Sequence, residues 1–192
     1  MNKIKLGFAM TGSYCTFSQV VPQIEKLSQM GYDIYPIMSD NSYNTDTRFG
    51  KAQNFVKDIE HICGKNILHT VKEVEPIGPK NMLDVLVIAP CTGNTIGKLA
   101  NGIYDTSVTS AVKAHLRNAK PIVVAVSTND ALSNSAKNIG ALMNMKYVYF
   151  VPMSQDDPIN KPTSMVAKFD YIPKTIEHAL NQKQIQPIYT PN

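Results

Sequence analysis

VLVIAPCTGNT, residues 85–95, is the stretch on which the fold of this chain turns. Its five leading apolar residues read as a strand buried on both faces. A proline then interrupts the run, and small hydroxyl- and amide-bearing residues lead into the helix-spaced IGKLA. A strand buried on both faces needs a covering layer on each side. A strand that runs straight into a helix is the unit from which parallel α/β sheets are built.

The same alternation extends in both directions. Upstream, residues 3–10 read as a first strand, and Thr16 and Gln19 have capping-box spacing ahead of a helix carrying Val20, Ile24, Leu27 and Met30. Gly31 ends that helix, residues 33–38 form a second strand, and a polar loop follows over 39–47. A second helix carries Phe55, Ile59 and Ile62, and a short strand over 67–70 leads through EPIGPKN to the central strand at 84–90. Downstream come helices over 94–101 and 106–118, a strand over 121–127, a helix over 134–144 and a strand over 147–151. The expected fold is α/β: a Rossmann-like, flavodoxin-like three-layer sandwich with a mostly parallel sheet. From Pro152 the chain turns polar and proline-bearing, with one short helix over 174–180. We expect a single domain over 1–192, in which 152–192 is an arm packed on the domain or on a neighbour.

Composition narrows the classes. With 43% hydrophobic and 18% charged residues, the chain resembles a soluble globular protein. No apolar run is long enough to span a membrane, and the opening MNKIKLGFAM lacks the length and cleavage site of a signal peptide. Cys15, Cys63 and Cys91 are odd in number and widely spaced, as expected of reduced thiols in a cytoplasm. A net charge of +4 without a basic run favours small anions and gives no reason to expect nucleic acid. The four histidines show no metal-ligand spacing, so no metal is expected.

In an open parallel sheet, ligands bind beyond the carboxyl ends of the strands. Here those ends carry Thr11, Gly12 and Ser13; Ser39, Asp40 and Asn41; Cys91 to Thr95; and Ser127 to Asp130. Each set serves equally as helix caps, but four together point to a phosphate or polar heterocycle held by backbone N–H groups. The first loop, AMTGSY, lacks G-x-G-x-x-G, and no G-x-x-x-x-G-K-[ST] is present, so a mononucleotide suits the loops better than a dinucleotide or triphosphate. Asp40 then reads as a cap or turn residue.

PCTGNTIGKLANGIYD resembles the P-A-S-A-N-T, K-x-A-x-G-x-x-D signature of the flavoprotein superfamily, which includes FMN-dependent cysteine decarboxylases, phosphopantothenoylcysteine decarboxylases and flavin prenyltransferases. GFAMTGS is similar to the first loop of that superfamily. The resemblance implies FMN as cofactor, with Gly12, Ser13 and Ser39 toward the phosphate, and Thr92, Gly93, Asn94, Thr95, Ser127, Thr128 and Asn129 completing the site. It also implies a homo-oligomer. The decarboxylases place a catalytic His eight residues before the Asp that opens the central strand; here the Asp is Asp84 and the position is Pro76, which speaks against decarboxylation. Their P-A-M-N-type motif is replaced by residues 126–129.

The longer combination PIGPKNMLDVLVIAPCTGNT, VKAHLRNAKPIVVAVSTNDALS, YFVPMSQDDPINKPTS and KQIQPI resembles a narrower branch over residues 4–189. Its members are the B subunits of oxidoreductases that make pyridine-2,6-dicarboxylate in the mother-cell cytoplasm of spore-forming bacteria. This implies a small dicarboxylate substrate of dihydropyridine type, and a partner, the A subunit, which carries the NAD(P)-binding fold. Three readings of the chain's own part follow: electron transfer through FMN beside the A subunit, non-catalytic support of the A subunit, or an independent FMN-dependent decarboxylase or prenyltransferase.

Among single residues, Asn94 is the leading candidate, since an amide at a strand end can donate to and accept from a ring or carbonyl. Cys91 reads as a nucleophile or, with no base beside it, as a small packing residue. Lys113 and Arg117, one helical turn apart, read as a dicarboxylate clamp or as a solvated helix face. No catalytic residue is assigned.

Overall fold

The structure is a computed structural model that describes residues 3–191. Its central strands are β1 (Lys5–Met10), β2 (Asp33–Met38), β3 (Val85–Cys91), β4 (Ile122–Thr128) and β5 (Val148–Phe150), all parallel. The helices are α1 (Phe17–Gln29), α2 (Asp40–Asn44), α3 (Ala52–Cys63), α4 (Val71–Val74), α5 (Gly93–Ala100), α6 (Ser107–Leu116), α7 (Ala136–Met143) and α8 (Ile172–Leu180). Two short strands, β6 (Met153–Ser154) and β7 (Met165–Ala167), complete a seven-stranded sheet in the order β2-β1-β3-β4-β7-β6, with β5 beside β4. This is the expected α/β class, with a mostly parallel sheet between two helical layers.

Period-two alternation divides the core. Phe8, Val87 and Ala125 face α1, α3 and α8, whereas Ile88, Val124 and Val126 face α4, α5, α6 and α7. Every residue of β3 is buried, as its apolar sequence requires. β4 is shared along its length. Ile122–Val124 pairs with β5, while Ser127 and Thr128 pair antiparallel with Val166 and Met165 of β7. Residues beyond Pro152 therefore extend the sheet at the carboxyl end of β4. Among the described residues, no helix is long and apolar enough to cross a membrane.

Four local readings need correction. Thr16 and Gln19 form no capping box, because the chain enters α1 through a 3-10 turn (Tyr14–Thr16) and the Thr16 hydroxyl donates back to the Ser13 carbonyl. Met30 is the C-cap of α1 and about half exposed rather than a core position. The 39–47 loop contains α2, too short for apolar periodicity, held by Ser39 at its N-cap and by an Asn44-to-Asp40 side-chain bond. The strand expected over 67–70 is reduced to a single bridge between Leu68 and Ile37. Its continuation is blocked because the Glu73 carboxylate accepts from the His69 and Thr70 N–H groups and closes a capping box on α4.

Candidate functional site

Three chain segments meet beyond the carboxyl ends of β1, β3 and β4. The first is a tight turn after β1, where Ser13 N–H donates to the Thr11 carbonyl at 2.7 Å. It is tied to β3 through Thr11, whose buried hydroxyl donates to the Pro90 carbonyl at 2.7 Å and accepts from Thr92 N–H at 3.0 Å. It is tied to β4 by the Ser13 and Ser127 hydroxyls, 2.7 Å apart. One threonine and one serine thus hold the three strand ends together.

The second segment is the start of α5. Thr92 is the N-cap and its side chain accepts from Thr95 N–H. Gly93 follows because nothing larger fits: a Cβ there would lie 2.6 Å from Thr128 Oγ1 and 2.8 Å from Asp130 Oδ1. Those atoms cannot move apart freely, since Thr128 and Ser135 donate to the two oxygens of Asp130 at 2.6 and 2.9 Å. These bonds, from Thr128 first, hold the Asp130 carboxyl below the usual carboxylate range despite some desolvation.

The third segment is the 155–164 loop. The Thr163 hydroxyl donates to the Asn129 carbonyl at 2.7 Å, and Leu132 N–H donates to the Thr163 carbonyl at 2.9 Å. Lys161 and Asp156 form an ion pair at 3.2 Å.

Together these segments bound a cavity of about 600 Å³. Of the residues singled out from the sequence, Gly12, Ser13, Thr92, Ser127, Thr128 and Asn129 line it. Gly93 is behind that wall as a packing residue, and Thr95 is buried with its hydroxyl 3.2 Å from that of Thr92. Asn94 is exposed on the first turn of α5, and Ser39 caps α2 beside β1; neither lines the cavity. Cys91 is fully buried, and burial pushes its thiol far above the usual range, so it packs and does not attack. Lys113 and Arg117 do not converge on the cavity. The Lys113 ammonium lies over the Tyr104 ring, and Arg117 is the C-cap of α6, the end away from the strand termini.

The sequence did not single out Tyr14, Phe49, Asp156, Lys161 or Val166 as lining residues. Val166 is placed by pairing with Ser127, thirty-nine positions away, which no local pattern announces. Tyr14 had a weak signal, standing next to the first loop; its hydroxyl reaches the Asn41 carbonyl at 2.8 Å and joins that loop to α2.

A hydroxyl-lined cavity over the β1, β3 and β4 ends of a 2-1-3-4-5 sheet is the arrangement of mononucleotide-binding doubly wound proteins. The flavoprotein family matches residues 1–181, and the chain belongs to that family. Within it, the B subunit of dipicolinate synthase from Bacillus subtilis (strain 168) is 47% identical over 188 residues, covering 98% of this chain and 94% of the relative. The crystal structure of the dipicolinate synthase B subunit from Bacillus halodurans C superposes with a TM-score of 0.91 at 43% identity, over 100% of both chains. The FMN-dependent cysteine decarboxylase SpaF shares the fold, with a TM-score of 0.65 at 21% identity over 93% of this chain and 96% of that one.

Proposed function

We propose that this chain is the flavoprotein-type subunit of a dipicolinate synthase, acting with an A subunit in the oxidation of a dihydropyridine dicarboxylate to dipicolinate. The likeness to B-subunit relatives along nearly the whole chain supports this reading. The same proposal includes a sporulating mother cell, a homo-oligomer and an NAD(P)-binding A subunit.

FMN is the cofactor we propose for the cavity, and the observation that carries this is Gly12. The nearest atoms to its Cβ position are those of Tyr14, from 3.5 Å outward, an ordinary contact, so no close approach within the chain demands glycine there. Close approach of a ligand to the backbone is a reason that remains. Gly12 and Ser13, with Ser39 beyond them, would hold the phosphate. Thr92, Ser127, Thr128 and Asn129 would bond the polar edge of the ring, and Asn94 is the exposed amide free to join them. Bound there, a flavin supplies two-electron redox chemistry; the protein supplies orientation, hydrogen bonds and partial exclusion of water. Pro76 lies in a 3-10 turn (Glu75–Ile77) and does not line the cavity, which leaves an independent decarboxylase reading without its proton donor.

The test is a titration with FMN, followed by absorbance and fluorescence, of the wild-type protein and Asn94→Ala, then synthase assays of the two subunits, separately and mixed. Saturable binding weakened by the substitution, and activity only in the mixture, is expected. Full activity of the A subunit on its own would remove the catalytic role and leave that of a supporting partner.

A further inference from the structure

The cavity walls are almost entirely neutral: glycine, hydroxyls, amides, aromatic rings, the Cys15 thiol and one valine. Among the described residues that line it, the charged ones are Asp156 and Lys161, which neutralise each other across 3.2 Å. We propose that Lys161 is the residue that recognises a carboxylate of the substrate, exchanging its Asp156 partner for the substrate anion. The inference rests on the reading that the substrate is a dicarboxylate.

Three observations carry it. A carboxylate entering a hydroxyl-lined cavity loses water, and neutral donors offset that loss less well than a cation does. Lys161 is positioned for such a role without being committed to it, since its side chain retains 52% of its exposure while that of Asp156 is reduced to 29%. The backbone beneath it is anchored. Lys161 N–H donates to the Asp157 carbonyl, Ser164 N–H to the Lys161 carbonyl, and Gln155 Nε2 to the Pro162 carbonyl, while Thr163 ties the loop to Asn129. The ammonium can therefore swing on its own stem while the loop stays in place.

Position separates this cation from a phosphate role. The loop leads into β7, on the far side of β4, whereas the Gly12–Ser13 turn leaves the end of β1, so the two reach the cavity from different strands. The two ends of the cavity thus differ in chemistry: backbone N–H and hydroxyl groups at β1, an ammonium at β7. Asp156 keeps Lys161 in place when no anion is bound, and its own charge opposes an approaching carboxylate. Neutralising Asp156 should therefore tighten binding rather than weaken it.

The experiment is calorimetric titration of the whole protein with dipicolinate, with FMN and the A subunit present, in the wild type, Lys161→Met, Lys161→Arg, Asp156→Asn and the exposed-helix control Lys137→Met. FMN affinity is measured on each variant as well. Lys161→Met should weaken dipicolinate binding about tenfold to a hundredfold, the value of one charge-assisted hydrogen bond, with FMN affinity unchanged. Lys161→Arg should retain most of the binding, Asp156→Asn should tighten it, and Lys137→Met should match the wild type.

Dipicolinate binding unaffected by Lys161→Met overturns the inference. So does an equal loss of FMN and dipicolinate affinity, which would make Lys161 a phosphate ligand, and so does the absence of saturable dipicolinate binding by the wild type. FMN binding without dipicolinate binding leaves the flavin reading standing and removes this one. Lys161-dependent dipicolinate binding without FMN binding does the reverse.

Discussion

The hydroxyls of Ser13 and Ser127 lie 2.7 Å apart although the residues are 114 positions apart in the chain. This contact joins the turn after β1 to the end of β4 across the floor of the cavity, so it couples the geometry of two walls. Ser127→Ala should cost about 1 kcal/mol of stability and weaken FMN binding several-fold, because the first loop loses its far anchor. Urea unfolding and a flavin titration on the same variant measure the two effects. Unchanged flavin affinity would show that the turn after β1 is set by its own bonds alone.

Thr11 does the corresponding work between β1 and β3. Thr11→Val keeps the side-chain shape but leaves Thr92 N–H without an acceptor in a nearly closed environment. A loss of about 1–3 kcal/mol is expected in denaturant unfolding, with the fold retained by circular dichroism.

Two glycines make opposite predictions. Gly93→Ala drives a methyl group into Thr128 and Asp130, which are pinned to each other, so about 1–3 kcal/mol of destabilisation should outweigh the gain in helix propensity. Gly140, inside α7, has nothing within 4 Å of its Cβ position, and Gly140→Ala should stabilise by about 0.5–1 kcal/mol. Comparing the two urea midpoints separates close packing from propensity.

His115 sets a pH dependence. It is fully buried, its Nε2 lies 3.1 Å from the Pro121 carbonyl, and among the described residues its Nδ1 has no partner. Burial lowers its pKa from 6.5 to about 4; the Lys120 ammonium adds to this, and the Pro121 carbonyl and Asp84 carboxylate oppose it. Between those values the unfolded chain binds a proton that the folded protein does not. Stability is therefore full above pH 6.5 and falls as the pH drops, by on the order of 3 kcal/mol at pH 4. His115→Gln, which keeps a donor for Pro121, should lose that part of the slope between pH 7 and 5 in urea unfolding. An identical slope in both proteins would assign the acid sensitivity to the carboxylates.

The parallel core was legible because its signals are local. VLVIA, short, rich in β-branched residues and ended by a proline, reads as a strand covered on both faces, and the alternation of strands with apolar-striped helices leaves few other folds. The small polar residues at strand ends were legible for the same reason, and six of those singled out line the cavity. The caps were less so. Thr16 and Gln19 match the capping-box spacing as well as Thr70 and Glu73 do, yet only the latter pair closes one, because the turn preceding α1 redirects the Thr16 hydroxyl.

By itself, the sequence determined the layer architecture, the order of the five parallel strands with the longer helices between them, and the hydroxyl-rich character of the strand ends, all of which follow from the periodicity of neighbouring residues. Tertiary structure alone decided which of those residues face one cavity and what closes its far side. Gly93 became a packing residue because Thr128 and Asp130 arrive beside it, and Lys161 joined the wall because β7 pairs with the end of β4. Contacts of this kind depend on backbone pairing between segments distant in the chain, and their energy comes from the partner each residue meets rather than from its neighbours in sequence.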